Sequence, residues 1–170
     1  MICIAAVDKH WGIGRDNDLL FSIPEDMRFF RQTTSGKTVI AGRKTLLSFP
    51  GGKPLKNRVN VVLSSDAEFD GAVNVHSLSE LAEAVIKLPG DDVFVIGGEM
   101  LYRTLLPYCS KALITKIDAD GNADKFFPDL DAADGWKPES MGDKLAFEKG
   151  FFRFTTYVNT KVKSLRELIK

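Results

Sequence analysis

The sequence predicts an α/β layer fold: a single domain with a mostly parallel central sheet of about eight strands, an antiparallel edge at its C-terminal end, and helices on both faces. Three observations carry that expectation. Residues 2–7 and 93–96 are short, continuous apolar runs, the pattern of strands buried on both faces. Such runs alternate with helix-like segments in the order β-α-β-α-β-β-α-β-α-β. Segments at 136–141 and 151–158 then follow, and together they suit a long antiparallel hairpin.

The first strand (ICIAAV, 2–7) leads into a glycine-bearing loop over 8–21. Ser22 and Glu25 have capping-box spacing, and Pro24 falls in the first turn, where its missing N–H costs nothing. A helix therefore runs to about Thr34, and Gly36 supplies a left-handed stop. A strand over 38–41 passes through Gly42 into a helix over 43–49, which Pro50-Gly51-Gly52 ends. Strands over 59–63 and 73–75 come next. Ser77-Leu78-Ser79-Glu80 is a second capping box and opens a helix to Leu88. Pro89-Gly90-Asp91 turns the chain into the strand 93–96, and Gly97-Gly98 joins it to a helix over 99–106 that Pro107 stops. Residues 112–117 form another strand. The domain spans 1–159. Residues 160–170 form a tail with apolar residues at helical spacing, either a short helix docked on the body or a frayed terminus.

Composition narrows the function. Of 170 residues, 23 are Lys or Arg and 23 are Asp or Glu, so the net charge is zero, which argues against binding long nucleic acid. No apolar stretch approaches the roughly 18 residues of a membrane span. No basic region precedes the first apolar run, which argues against a signal peptide. Cys3 and Cys109, both in apolar surroundings, read as reduced thiols of a cytoplasmic protein and exclude a disulfide scaffold or a cysteine zinc site. Nothing in the sequence demands more than a monomer.

Three short patterns are decoys. Ser35-Gly36-Lys37-Thr38 resembles the end of a P-loop, but the earlier glycine would fall on Arg31 and the flanking elements are in the wrong order. Gly12-Ile13-Gly14 resembles the start of a dinucleotide fingerprint, yet the third position is Asn17. Asp118-Ala119-Asp120-Gly121-Asn122-Ala123-Asp124 begins like a calcium loop, but its sixth place is Ala123 and its twelfth Asp129, so an acidic solvated turn is the better account.

Better signals lie at strand ends, where open α/β sheets bind ligands. Ile40-Ala41-Gly42-Arg43-Lys44-Thr45 brings a glycine, two cations and a hydroxyl to a helix start, which suits a phosphate and equally suits two solvated basic residues. Val95-Ile96-Gly97-Gly98-Glu99 allows a ligand close to the backbone, or is simply a tight turn. Two such junctions in one small domain favour a dinucleotide. Asp26 shares a helix face with Phe29 and Phe30, so it is either an ordinary first-turn acid or an acid placed in a pocket.

In order and with compatible spacing over residues 2–158, these segments resemble the bacterial, chromosomal-type dihydrofolate reductases. The likeness rests on Ile4-Ala5-Ala6, Gly12-Ile13-Gly14, Ile23-Pro24-Glu25-Asp26-Met27, Phe30, Val39 through Thr45, Pro54-Leu55, Arg58, Leu63-Ser64-Ser65, Val95-Ile96-Gly97-Gly98, Tyr102, Leu113 through Ile117 and Phe127-Pro128. The resemblance implies NADPH-dependent reduction of dihydrofolate, with antifolate inhibitors as competing ligands. It implies that Asp26 binds the pterin, that Thr115 supports it, and that Leu19 and Phe21 border the catalytic centre. It places Ile4, Ala5, Met27, Phe30, Phe49, Leu55 and Ile96 around the substrate rings, and Arg58 on the α-carboxylate of the glutamate tail. Ala6, Ile13 and Gly14 would face the nicotinamide end. Gly42, Thr45, Gly97 and Gly98, the last two joined by a cis bond, would hold the middle of the cofactor, with Tyr102 near the nicotinamide. Arg43, Lys44, Leu63, Ser64 and Ser65 would take the adenosine end and its 2′-phosphate. The loop 8–21 would be a mobile lid, steadied by Asp124 from a second loop.

Two departures stand out. Leu20-Phe21 replaces a common Pro-Trp, and phenylalanine has no ring N–H to hold a water. Met100 and His76 replace further basic residues, and His76 is expected to be mostly neutral at pH 7. Two other functions compete with the folate reading. One is a pyrimidine reductase of riboflavin synthesis, which would share the cofactor end but lack the helix aspartate. The other is a silent nucleotide-binding module, which an intact Asp26–Thr115 pair opposes.

Overall fold

A computed structural model describes all residues, Met1–Lys170. Six parallel strands make the body of the sheet: β1 (Ile2–Val7), β3 (Thr38–Gly42), β4 (Val59–Leu63), β5 (Val73–Val75), β6 (Val93–Gly97) and β7 (Lys111–Asp118). Their spatial order is β7-β1-β6-β3-β4-β5. β11 (Gly150–Asn159) then runs antiparallel along β7. Helices α1 (Pro24–Thr34), α2 (Arg43–Leu47), α3 (Leu78–Val85) and α4 (Glu99–Leu105) connect the parallel strands. No helix is long and apolar enough to cross a membrane.

The alternation of side chains in the central strands gives the sheet two unlike faces. Cys3, Val7, Ile40, Val61, Val95 and Ile114 belong to a cluster of 21 buried residues that includes Leu81 and Val85 of α3 and Leu101 and Leu105 of α4. On the other face Ile2, Ile4, Val39 and Phe94 form a cluster of four, against which Phe29, Phe30, Leu55 and Ile96 are only partly buried. α1 buries only Thr34 fully. One helix does not cover that face, and the uncovered part is a cleft.

Several elements differ from expectation. Ser22 does not cap α1: the N-cap is Ile23, with no side-chain cap, because Pro24 fixes the first helical position one residue later. Ser77 does cap α3, accepting the Glu80 N–H at 3.1 Å, while the Glu80 carboxylate reaches past it to the His76 N–H. The helices expected over 43–49, 78–88 and 99–106 end earlier, at Leu47, Val85 and Leu105, the first and last passing into 3-10 turns at Pro50–Gly52 and Leu106–Tyr108.

The loop 8–21 contains a strand, β2 (Gly12–Gly14), paired with β8 (Lys125–Phe126). The single C-terminal hairpin is instead two partners on one edge. β9 (Trp136–Met141) lines the second half of β11, and β10 (Leu145–Phe147) lines the first. β11 has ten residues, long enough for both, and Gly142 bends the chain between them while donating to the Phe154 carbonyl at 2.8 Å. The tail docks rather than frays. Its 3-10 turn, Leu165–Leu168, packs Leu165 and Leu168 on the main core, and the Lys170 N–H donates to Ser79 Oγ at 3.0 Å.

Candidate active site

α1 aims its first turns into the cleft. Asp26 is half-buried there, and Thr115, buried on β7 beside Ala6 of β1, donates its hydroxyl to Asp26 Oδ1 at 2.6 Å. Burial pushes the Asp26 carboxyl above its ordinary range, and the Thr115 hydrogen bond pulls it back only in part. Asp26 takes part in no ion pair. A carboxylate so placed favours a ligand that brings its own N–H donors or a positive charge. Ile4, Phe30, Leu55 and Ile96 meet in one apolar wall, with Phe49 half-buried and Met27 exposed. The Ala5 side chain packs toward the main core on the opposite face, so only its backbone can serve the cleft.

Between the lid and Asp26 lies a cavity of about 30 Å³, bordered by Ala6, Ile13, Leu19, Phe21 and Met27. That is room for a single water. Phe21 packs edge-on against Phe147 of β10, with centroids 5.7 Å apart. A larger cavity of about 230 Å³ flanks α1 on its far side, between Phe29, Thr115, Met141 and Phe154.

At one end of the cleft stands Arg58. Its Nε donates to the Lys56 carbonyl at 2.8 Å and one terminal nitrogen to Thr34 Oγ1 at 3.2 Å. Burial and then the neighbouring Arg31 pull it below the usual guanidinium range, though it stays charged. Buried Asn60 shapes the approach loop, trading hydrogen bonds of 2.9 Å with both backbone groups of Leu55. Between Met27 and Ser65 the chain carries eight cations and no carboxylate, while the rest holds all 23 carboxylates and 15 cations. Of those eight, only Lys37 is in an ion pair, with Asp92.

At the other end the two glycine junctions adjoin, since β3 and β6 are neighbours. Gly97–Gly98 is a cis peptide, as the resemblance implied, and a Cβ on Gly98 would lie 3.2 Å from Thr45 Oγ1. The helices beginning here have five and seven residues, so their dipoles contribute less than the free N–H groups and the exposed, unpaired Arg43 and Lys44. Asn17 of the lid donates to the Lys44 carbonyl at 3.2 Å, linking lid and junction.

Not every expected cofactor residue faces outward. Tyr102 is buried beneath Gly97 and donates to the Ile4 carbonyl at 2.7 Å. Ser64 is buried and accepts the Ala67 N–H, Leu63 packs on the core, and Ser65 is exposed. His76 is held nearer its charged form than a free imidazole. The Ser64 carbonyl, 2.8 Å from Nδ1, raises its pKa, burial opposes this, and Glu68 and Glu80 add to the rise.

Sequence reasoning found only part of the lid's anchorage. Gly14 accepts the Asp124 N–H at 2.9 Å and the Asp124 carboxylate accepts the Asp16 N–H at 3.0 Å, so Asp124 steadies the lid as expected. Unforeseen is Trp11, packed on Phe127 and Tyr157 with the Lys116 ammonium 5.1 Å from its ring. Lys116, Tyr157 and Asp131 are mutually hydrogen-bonded at 2.8–3.1 Å. Only the Trp11 ring, flanked by polar His10 and Lys9, hinted at this.

A doubly wound sheet with an acid that has no cation partner in a mostly apolar cleft, and unpaired cations around glycine junctions at its strand ends, defines a small-molecule α/β enzyme that takes anionic, nucleotide-like ligands. The chain belongs to the dihydrofolate reductase family, whose model, described as "Dihydrofolate reductase", matches residues 1–159. A Bacillus subtilis dihydrofolate reductase is 41% identical over 136 residues, 79% of this chain and 78% of that one. A Staphylococcus haemolyticus dihydrofolate reductase is 34% identical over 164 residues, 94% and 95%. A dihydrofolate reductase from Enterococcus faecalis, solved with NADP(H) and RAB-propyl, superposes with a TM-score of 0.79 at 29% identity, covering 93% of this chain and 95% of that one. The family places the chain among NADPH-dependent oxidoreductases and supports the folate reading over the pyrimidine reductase and the silent module.

Proposed function

We propose that this chain reduces 7,8-dihydrofolate to 5,6,7,8-tetrahydrofolate with NADPH, and that Asp26 is the group on which the chemistry turns. The observation that carries this reading is the Asp26–Thr115 hydrogen bond of 2.6 Å inside an otherwise apolar cleft. One carboxylate oxygen is engaged by Thr115, which leaves acceptor capacity for the pterin amino group and ring nitrogen. The donor set at the other end fits the cofactor. Gly42, Thr45, Gly97 and Gly98 would hold its middle, backbone groups of Ala6 and Ile13 its carboxamide, and Arg43, Lys44 and Ser65 its 2′-phosphate. NADPH, when bound, supplies the hydride and is left as NADP⁺.

The protein's own part is electrostatic and positional. As the pterin C=N bond takes a proton on nitrogen and a hydride on carbon, positive character builds on the ring, and ionised Asp26 stabilises it. Phe30, Leu55 and Ile96 fix the ring plane, and Arg58 fixes the tail through its remaining N–H donors. Leu19 and Phe21 exclude solvent except for the water-sized cavity, from which the proton is delivered. Antifolates that mimic the pterin would compete for the same groups. Every residue given a part in this reading belongs to one chain, so a monomer suffices. The neutral net charge speaks against a nucleic-acid partner, and two buried, unbridged cysteines suit the cytoplasm.

The test is NADPH oxidation by purified protein with and without dihydrofolate, repeated with NADH. Oxidation that depends on dihydrofolate and is faster with NADPH is expected. A protein that binds NADPH yet shows no such turnover would overturn the reading.

A further inference from the structure

Asp8 is the first residue past β1, where the lid leaves the sheet, and it is only 3% exposed. Its Oδ1 accepts backbone N–H groups from His10 at 2.8 Å and Gly12 at 2.7 Å. Its Oδ2 accepts the N–H of Gly121 at 3.0 Å. No cation pairs with it. A buried carboxylate without a cation is costly unless donors fill its oxygens, and here three backbone groups from two separate loops do so. His10 and Gly12 are at the root of the lid, whereas Gly121 lies between β7 and β8. The approach is close: a Cβ on Gly12 would lie 2.4 Å from the Ala123 Cβ and 2.9 Å from each Asp8 oxygen. A Cβ on Gly121 would lie 2.8 Å from the Leu20 side chain, so the far limb of the lid rests on the residue that Asp8 holds. Asp8 also borders the small cavity that contains Leu19, Phe21 and Asp26 in its wall.

We propose that Asp8 is a positioning residue for hydride transfer: by bonding both loops at once it sets the fit of the lid over Asp26. The proposal rests on the reductase reading of the cleft. Both oxygens must accept, so a carboxamide is a poor substitute. Its NH₂ group would face a backbone N–H and leave that donor unpaired.

The experiment is a single-turnover measurement on Asp8→Asn preloaded with NADPH, with deuterated NADPH alongside to isolate the hydride step. That step should slow by about tenfold to a hundredfold, the effect of misplacing a reacting pair. The Kd for NADPH should change less than about threefold, because the cofactor's charged groups contact other residues. An unchanged hydride step would overturn the proposal, whatever happens to thermal stability. A second measurement needs no variant. In the native enzyme the His10, Gly12 and Gly121 amides should exchange slowly and open as one unit. Gly121 exchanging freely while Gly12 stays protected would also overturn it. Exchange needs no substrate, so a native chain without dihydrofolate turnover would count against the reductase reading alone.

Discussion

The two faces of one sheet are built to different ends. On the face covered by α3 and α4, 21 residues close into a core that includes Leu81, Leu101 and Leu105, none more than 2% exposed. On the α1 face the buried cluster has four residues, Phe29 and Phe30 stay half-exposed, and a carboxyl sits among them. The first face takes apolar surface out of water and fixes the strands. The second leaves apolar surface unburied and holds an acid where its charge is disfavoured. The contrast teaches that stability and function are drawn from opposite sides of the same strands: Ile114 faces the core while its neighbour Thr115 holds Asp26.

Perturbing each face in turn sharpens this contrast. Asp26→Asn should lower turnover at neutral pH by roughly a hundredfold to a thousandfold, the usual cost of losing one aligned electrostatic group, with NADPH binding nearly unchanged. Leu81→Ala should do the reverse, costing about 2–5 kcal/mol in denaturant unfolding while kcat per folded molecule holds. Full activity in the first variant, or lost kcat in the second, would break the division. If Arg43 takes the 2′-phosphate as proposed, Arg43→Ala should raise KM for NADPH about tenfold and that for NADH far less, the cost of one charge-assisted phosphate contact. Equal losses with both cofactors would take Arg43 out of 2′-phosphate recognition. The smallest effect concerns the acid-free stretch around the cleft. KM for dihydrofolate should rise a few-fold between low and moderate salt, and Lys53→Gln with Lys56→Gln should flatten that dependence.

Much of the fold was legible because its signals are local. The apolar runs of β1 and β6, Pro24 at the start of α1 and the Ser77 cap each declare themselves within a few residues. Asp26 stood out locally as an acid on an aromatic helix face, but its pairing with Thr115 and the part given to Arg58 came only from a resemblance spread over residues 2–158. What was missed depends on distant partners. β2 and β8 have three and two residues and exist because they pair across more than a hundred positions. Asp8 looks like any loop acid until Gly121 is folded against it. The pull on His76 comes from a carbonyl twelve residues away, which no local pattern encodes.

The account turns most directly on whether ionised Asp26 burdens the empty fold. Burial raises its pKa, so the folded state holds the proton more tightly than the unfolded chain does. Stability then falls as pH rises from the unfolded value through the folded one, and the cost persists above it. Thermal unfolding of the native chain and of Asp26→Asn, compared from acid to neutral pH, reads this cost directly. The account predicts that the variant is the more stable at neutral pH, with the advantage vanishing in acid, although it turns over poorly. A variant less stable than the native chain at neutral pH would show that the ionised carboxylate holds the fold together, and would contradict the account.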